Sequence, residues 1–282
     1  MTYFKLPGGR FASESRRELP ALAAAVVRFM GAGSRAPRAA VGDALEFAAK
    51  SAEWSRSVLS WLDIDLDLTG TDQIDWARPH VIVALHEGII DPLFLMAHLP
   101  VPLRFVARTE LKDWPVIGPI LEPSGQILIE PEQPHSAART LLRGGRQAVA
   151  AGFSPVVFAQ GTLLGIETAF QPGAFALARA AGVEVLPVVI AGTHQVYEWP
   201  FSPVVRRSRP VHVQILPSRV NPKSSELESE MRHIALDNKH APVRRFDPIR
   251  DGWWDDYRFS ISADYPGLAS QMAKHRSECV RA

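Results

Sequence analysis

The sequence is short of cysteine and of net charge. One cysteine, Cys279, occurs in 282 residues, which excludes a disulfide framework and a cysteine-based zinc site. Lys and Arg total 31 against 30 Asp and Glu, a formal net charge of +1, so the chain offers no electrostatic footprint for nucleic acid. We therefore expect an intracellular, reducing compartment, no metal centre and no nucleic-acid partner.

Long apolar segments are also missing. The first twenty residues carry charges where a secretory signal would be apolar, which excludes such a signal. The longest uncharged stretch, 147–166, is interrupted by Gly152, Pro155, Gly161 and Gly165. We interpret it as a helix end, a strand and a loop rather than a membrane span. The expected location is cytoplasmic, and a peripheral contact with the inner face of the cell membrane stays open.

Several enzyme signatures are absent. The chain has no G-x-S-x-G nucleophile turn, no G-x-x-x-x-G-K-[ST] phosphate loop and no H-E-x-x-H zinc motif. Gly31-Ala32-Gly33 follows a helix-like stretch rather than a strand and does not complete a dinucleotide fingerprint. A nicotinamide or nucleotide enzyme is therefore not expected.

What the chain does contain is an alternation of strand-like and helix-like segments. Apolar strand patterns lie at 81–85, 103–107, 126–129, 155–158, 185–190 and 211–216, and helical patterns at 92–99, 136–151 and 173–181 separate several of them. Residues 62–68 alternate apolar and acidic side chains, which predicts a half-exposed strand at a sheet edge. This order predicts an α/β fold with a mostly parallel central sheet flanked by helices.

The sequence also predicts three regions. Residues 1–62 hold two helical patterns, 18–33 and 42–62, which indicate an N-terminal helical hairpin packed on the core, with a shallow membrane anchor as the alternative. Residues 63–220 form the α/β core. Residues 221–282 are more polar, and we expect this C-terminal extension to pack on the core through the aromatic cluster Trp253, Trp254, Tyr257 and Phe259.

The main candidate for chemistry is a histidine that directly follows a buried strand pattern. His86 comes after the run 81–85 and would emerge at the carboxyl end of a strand, where α/β sheets bind ligands. Gly88 permits a turn, and Asp91-Pro92 is typical of a helix N-cap followed by its first residue. Asp91 could orient the imidazole so that its other nitrogen accepts a proton. On spacing alone, a structural histidine beside a capping aspartate is the stronger interpretation.

Three later segments favour a catalytic role for His86 over a structural one. They are Phe105–Leu111, continuing through Pro115 and Gly118; Val157–Thr162, with Gly173–Phe175 downstream; and Val185–Ile190. Together with the His86 segment, in this order and spacing, they resemble the four sequence blocks of the phospholipid/glycerol acyltransferase family, which includes the 1-acylglycerol-3-phosphate acyltransferases. The resemblance extends from about Leu62 to Thr193, close to half of the chain.

The resemblance implies both a reaction and a set of residues. His86 would be the general base and Asp91 its orienting partner, while an acceptor hydroxyl attacks the thioester of acyl-CoA or an acyl carrier protein. Backbone N–H groups around Gly161 and Thr162 are candidates for stabilising the oxyanion. The implied reaction requires no metal, no redox cofactor and no covalent acyl-enzyme, since the acyl thioester is a co-substrate.

Departures from the family pattern concern the phosphate-binding half of the site. The family has asparagine before the histidine and F-P-E-G-T-R in its third block, where this chain has Leu85 and Phe158-Ala159-Gln160-Gly161-Thr162-Leu163. A family arginine is also replaced by Pro131. Arginine is the natural bidentate partner of phosphate, and Arg108 is the remaining candidate for an anion contact. We therefore expect an acceptor other than lysophosphatidate, such as a lyso-aminolipid, a glycolipid or a specialised metabolite with a hydroxyl or an amine.

The predicted function is therefore transfer of a fatty acyl group to a lipid-like or other polar acceptor. The predicted catalytic residues are His86 and Asp91, and the predicted substrate-binding residues are Arg108, Gln160, Gly161 and Thr162. Two alternatives stay open: a homologue that binds lipid or acyl carrier protein with little turnover, and an acyl-thioester hydrolase that uses water as the acceptor.

Overall fold

The computed structural model describes residues 44–113, 118–121, 124–198, 205–247 and 259–279. The predicted helix 18–33 and the aromatic residues Trp253, Trp254 and Tyr257 lie outside this described part. The second predicted helix of the hairpin is present as α1, Ala44–Leu62. The stretch 147–166 contains a helix end, a strand and a loop, as predicted.

Strands and helices alternate along the described chain. The strands are β1 Asp65–Thr69, β2 Val81–Ala84, β3 Leu103–Arg108, β4 Ile127–Ile129, β5 Ser154–Phe158, β6 Val185–Ala191 and β7 Pro210–Ile215. After α1, the helices are α2 Asp91–His98, α3 Gly118–Leu121, α4 Pro134–Ala150, α5 Gly173–Ala181, α6 Thr193–Val196, α7 Ser224–Asp237 and α8 Pro266–Cys279. Short 3-10 helices span Thr71–Gln73 and Thr109–Asp113.

In the described residues, seven strands form one sheet in the order β1-β7-β6-β2-β5-β3-β4. All neighbouring pairs are parallel except β6 and β7. The prediction of a mostly parallel α/β sheet is therefore confirmed. The central strands β2 and β6 are buried along their whole length, which explains their nearly continuous apolar sequences.

Helices cover both faces of this sheet. Alternate residues of β2 and β6, such as Ile82 and Ile190, pack with apolar side chains of α1 and α2. The intervening residues, such as Val83 and Val189, face a second cluster that includes side chains of α4, α5 and α7. The period of two along each strand thus divides the core into two layers.

The first strand lies at the sheet edge, as its alternating sequence predicts. β1 pairs only with β7 in the order above. Asp67 on β1 accepts a hydrogen bond from Nδ1 of His212 on β7, with Oδ2 and Nδ1 2.8 Å apart. Charged side chains on an edge strand discourage pairing with another chain, which accounts for the acidic residues at every second position.

The C-terminal region contacts the core beyond the third sequence block. Phe259 is buried in a small cluster with Leu164, Phe246 and Met272. Residues 259–262 run beside 167–169, where the Ala169 N–H donates to the Ser260 carbonyl at 2.7 Å. No helix among the described residues is long and apolar enough to cross a membrane.

Candidate active site

Three neighbouring parallel strands deliver polar residues to one edge of the sheet. β6, β2 and β5 lie side by side, and His86, Gln160 and Thr193 each follow the carboxyl end of one of them. Parallel strands end at the same edge, where open α/β sheets collect their ligands. The topology therefore brings together residues that lie up to 107 positions apart in the sequence.

His86 and Asp91 form the central pair of this site. Nδ1 of His86 lies 2.7 Å from Oδ2 of Asp91. The same oxygen accepts the N–H groups of Glu87 at 2.8 Å and Gly88 at 3.1 Å, and the other oxygen accepts the Thr193 hydroxyl. Asp91 is fully buried, and all four contacts use its carboxylate as an acceptor. Donation from Nδ1 leaves Nε2 of His86 to accept a proton.

Asp91 does not occupy the predicted capping position. Helix α2 begins at Asp91 itself, and Ile90 is the residue at the N-cap. The prediction of Asp91 as the N-cap was therefore wrong by one residue. The Asp91 side chain turns back toward the loop that precedes the helix, because His86 and the N–H groups of Glu87 and Gly88 supply its donors.

The imidazole of His86 is also held from behind. Its ring stacks on Phe158, with ring centroids 4.0 Å apart and planes inclined by 16°. The His86 backbone N–H donates to Oε1 of Gln160 at 2.7 Å. The ring orientation is thus determined by a carboxylate, an aromatic face and a backbone contact.

Gln160, a predicted substrate-binding residue, is 1% exposed. Its Nε2 donates to the Gly165 carbonyl at 2.8 Å and to the Thr168 hydroxyl at 2.9 Å. Both amide protons are therefore engaged within the protein. The structure gives Gln160 a supporting contact with His86 and no free donor for a substrate.

Gly161 and Thr162, the predicted oxyanion region, differ from each other. Gly161 has a positive φ of 68°, a left-handed conformation that glycine adopts without strain, and its N–H donates to the Phe158 carbonyl at 3.0 Å. Among the described residues, no protein acceptor takes the Thr162 N–H. Thr162 is therefore the better candidate of the two for an oxyanion donor.

Arg108, the predicted anion contact, is engaged with two carboxylates. Its Nε lies 2.7 Å from Oε1 of Glu110, and its Nη2 lies 2.5 Å from Oε1 of Glu132. A substrate anion would have to compete with both of these acids for the guanidinium group. Glu132 directly follows Pro131, the proline that stands where the family has arginine.

The site also contains residues that the sequence did not single out. Phe158 provides the surface behind the imidazole, Thr193 binds Asp91, and the buried Glu87 bonds to the chain around Gly192. Glu87 had one local signal, since it is a carboxylate inside an otherwise apolar loop. In the part of the chain that the structure describes, no cluster of His, Cys, Asp and Glu is suited to hold a metal ion.

Comparisons with known proteins match this region. A family model described as "Acyltransferase" matches residues 65–191. A 1-acyl-sn-glycerol-3-phosphate acyltransferase of Chlamydomonas reinhardtii is 33% identical over 198 residues, covering 70% of this chain and 52% of the algal protein. A probable enzyme of the same name from Mycoplasma genitalium is 34% identical over 148 residues, covering 49% of this chain and 54% of that protein. The chain thus spans about half the length of the curated relatives it matches.

A solved structure shares the fold. The crystal structure of the 1-acyl-sn-glycerophosphate acyltransferase from Thermotoga maritima superposes with a TM-score of 0.53 at 20% sequence identity, covering 68% of this chain and 78% of that one. The residues 65–191 that match the family model include His86, which follows β2, and Asp91, which begins α2. Through its residues 65–191, this chain belongs to the phospholipid/glycerol acyltransferase family.

Proposed function

We propose that this protein transfers an acyl group from a thioester donor to a hydroxyl group of a lipid-like acceptor, with His86 as the general base. The observation that carries the proposal is the 2.7 Å contact between His86 Nδ1 and an Asp91 carboxylate that is buried and bonded to three further donors. A histidine held in this way presents a fixed Nε2 lone pair at the edge of the sheet.

The proposed reaction follows from this geometry. Nε2 of His86 takes the proton of the acceptor hydroxyl as its oxygen attacks the thioester carbonyl. The resulting tetrahedral oxyanion needs a fixed donor, and the Thr162 N–H is the proposed one. Collapse of this intermediate breaks the carbon–sulfur bond, and the departing thiolate receives the proton from the imidazolium of His86. Asp91 stabilises the imidazolium between these two proton transfers.

The donor is proposed to be acyl-CoA or an acyl carrier protein. Both present the same thioester, so the chemistry at His86 is identical for either. The two donors differ in what surrounds the thioester, and a direct comparison of kcat/KM with each one identifies the physiological class.

The acceptor is proposed to lack a phosphate monoester. Pro131 and Leu163 replace arginines of the family pattern, and Arg108 is paired with Glu110 and Glu132. A doubly charged phosphate placed beside these carboxylates would be repelled by them. The names of the relatives favour the second candidate, which is 1-acylglycerol-3-phosphate itself.

The test is an acceptor panel analysed by mass spectrometry. Purified protein is incubated with acyl-CoA or acyl carrier protein together with lysophosphatidate, a monoacylglycerol, a lyso-aminolipid or a glycolipid. We expect acylated product with a phosphate-free acceptor, and none with His86→Ala. Efficient acylation of lysophosphatidate would reverse the proposed acceptor class. Fatty acid released without any acceptor would identify a hydrolase, and donor binding without any product would identify a binding protein.

A further inference from the structure

A second buried carboxylate lies directly beside the proposed base. Glu87 follows His86 in the chain and is 2% exposed. Its Oε2 accepts the Gly192 N–H at 2.7 Å and lies 3.3 Å from Nδ1 of His194. Its Oε1 accepts the Arg244 N–H at 2.9 Å. The proposed reaction assigns no step to Glu87, yet the protein surrounds this carboxylate with donors.

Two of the groups around Glu87, those of Gly192 and His194, belong to the segment at the start of α6 that also bonds to Asp91. Gly192 and His194 flank Thr193, whose hydroxyl donates to Asp91. The loop and this segment are in close contact, because a Cβ atom on Gly88 would lie 3.0 Å from the Thr193 hydroxyl oxygen. Residues at the start of α6 therefore contact both Glu87 and Asp91, the two acids that follow His86 in the chain.

The third donor lies outside the region that matches the family. Arg244 belongs to the segment 241–247, beyond the matched residues 65–191. The Arg244 carbonyl accepts the Ile166 N–H at 3.0 Å, and the Phe246 N–H donates to Glu167 at 2.8 Å. The segment 241–247 thus contacts the loop that follows Thr162 as well as the loop that carries His86.

Two glycines, Gly165 and Gly192, lie so close to the segment 241–247 that neither position has room for a side chain. A Cβ atom on Gly165 would lie 2.5 Å from the Phe246 backbone nitrogen, and one on Gly192 would lie 2.8 Å from the Ala241 Cβ atom. Both glycines therefore pack directly against the segment, which gives the Glu87 contacts a rigid surrounding.

We infer that Glu87 is a positioning residue, which fixes the His86 loop by binding the backbone at Gly192 and Arg244. This inference deepens the proposed function and rests on it. If Glu87 has this role, the residues that position His86 include the segment 241–247, which lies beyond the residues 65–191 that match the family model. Glu87 acts through the placement of His86 and not by contact with substrate, so its loss should change the rate of the chemical step more than the binding of the donor.

The test uses Glu87→Gln, which keeps the size of the side chain. A glutamine can present only one oxygen, so its NH₂ group must face either the Gly192 N–H or the Arg244 N–H, and one contact becomes donor against donor. Misplacement of the base by a fraction of an ångström to 1 Å lowers kcat by roughly 10- to 100-fold. We expect this loss in kcat, with the KM for the acyl donor within about twofold of the wild type.

Glu228→Gln is the matched control. Glu228 is also buried, and its carboxylate accepts the Phe170 N–H and a hydrogen bond from the Arg232 side chain, whereas Glu87 accepts two backbone N–H groups. Neither of these two partners belongs to the His86 loop. We expect Glu228→Gln to lower the midpoint of thermal unfolding about as much as Glu87→Gln does, while its kcat stays within about twofold of the wild type.

A spectroscopic measurement tests the inference without any substrate. The Nδ1 proton of a histidine bonded to a carboxylate gives an NMR signal far downfield of the amide protons, and His86→Ala identifies the signal of His86 by its loss. We expect Glu87→Gln to shift or broaden this signal and Glu228→Gln to leave it unchanged.

The outcomes separate the inference from the proposed function. An unchanged signal in folded Glu87→Gln, or equal losses of kcat in the two glutamine variants, would overturn the positioning role. Absence of acyl transfer by the wild type with every donor and acceptor would overturn the proposed function instead, while the NMR comparison would still decide whether Glu87 positions His86.

Discussion

At the scale of single residues, two contacts hold the imidazole of His86 and a third holds its backbone. Asp91 binds Nδ1, Phe158 covers one face of the ring, and Gln160 accepts the backbone N–H. The side chain nevertheless remains 18% exposed. In the proposed reaction, a base held in this way would need no rearrangement when the acceptor arrives, which would contribute directly to the rate.

Replacement of Asp91 by asparagine should remove the negative charge beside His86 while keeping the hydrogen bonds that this side chain makes. The amide oxygen can keep the three donors of Oδ2, and its NH₂ group can donate to the Thr193 hydroxyl, which is able to accept. The fold should therefore persist, while the imidazolium loses its stabilising charge. We expect kcat to fall roughly 10²- to 10⁴-fold, as measured by steady-state kinetics of acyl transfer.

The control for this change is Asp237→Asn, because the Asp237 side chain is 68% exposed on α7. It should retain the kcat of the wild type. Wild-type kcat in Asp91→Asn would show that His86 does not require the carboxylate.

Restoring the glutamate of the family pattern at position 160 should destabilise this protein. Gln160 donates to the Gly165 carbonyl and the Thr168 hydroxyl from a buried position. A glutamate would place an oxygen against the Gly165 carbonyl, with no proton between them. We expect Gln160→Glu to lower the free energy of unfolding by about 1–3 kcal/mol, as measured by urea denaturation at neutral pH.

Gln147→Glu, on the exposed side of α4, is the comparison for this substitution. It should change the free energy of unfolding by less than about 0.5 kcal/mol. Equal stabilities of Gln160→Glu and the wild type would mean that the buried amide donors are dispensable.

How much of the site was predictable depends on distance along the chain. His86 and Asp91 were predictable because they lie only five positions apart, between a strand and a helix that fix their orientation. The partners of Glu87 were not, since Arg244 lies 157 residues away and contacts it through a backbone N–H that any residue but proline would provide. The pairing of Arg108 with Glu132 likewise depends on tertiary contact.

At the scale of elements, the start of β2 is fixed by a buried histidine. The His80 N–H donates to the Ser154 hydroxyl at 3.1 Å, which joins the beginnings of β2 and β5. His80 is 3% exposed, and burial lowers its pKa below 6.5, although Glu184 and Asp75 oppose the shift. The strand that leads to His86 thus begins next to a histidine whose pKa is lowered by burial in the folded protein.

This lowered pKa predicts a loss of stability in acid. Below pH 6.5 the unfolded chain takes up a proton at His80 before the folded protein does. The stabilising contribution is therefore full above pH 6.5 and is lost as the pH falls through the folded pKa. We expect His80→Gln to lose less unfolding free energy than the wild type between pH 7.5 and pH 5, as measured by urea denaturation.

His233→Gln is the control, because His233 is 77% exposed on α7. Its dependence of stability on pH should follow that of the wild type closely. The same dependence in His80→Gln would show that protonation of His80 does not contribute to acid unfolding.

The elements themselves were largely predictable. Each predicted strand is present, because short β-branched runs bounded by turns have few alternatives. The direction of β7 was not predictable, since an apolar run reads the same in either orientation. The helices α7 and α8 were not predicted, because their sequences are polar and their apolar residues, such as Leu227 and Met231, are few.

At the scale of the whole molecule, the matched region 65–191 is not a complete structural unit. β7 separates β1 from β6 and pairs with both. Leu227 and Met231 of α7 complete the apolar layer that contains Val83 and Val189. A chain that ends at residue 191 would leave β1 without its neighbour β7 and would remove α7 from one face of the sheet.

We therefore expect truncation after Ala191 to abolish cooperative folding. The truncated chain should show no cooperative thermal transition by circular dichroism, because β6 becomes an exposed edge and the apolar layer loses α7. A chain ending at residue 247 should keep a transition at a lower temperature, since it loses Phe259 and Met272 but retains β7 and α7. A cooperative transition in the shorter chain would contradict this view.

The position of β1 at the edge also has a consequence for synthesis on the ribosome. β1 pairs with β7 from Asp65 opposite Pro210, a separation of 145 residues. At about 5–20 residues per second, β1 is made roughly 7–29 s before β7 exists. During that interval its alternating aspartates, Asp65 and Asp67, are the feature that discourages β1 from pairing with another nascent chain.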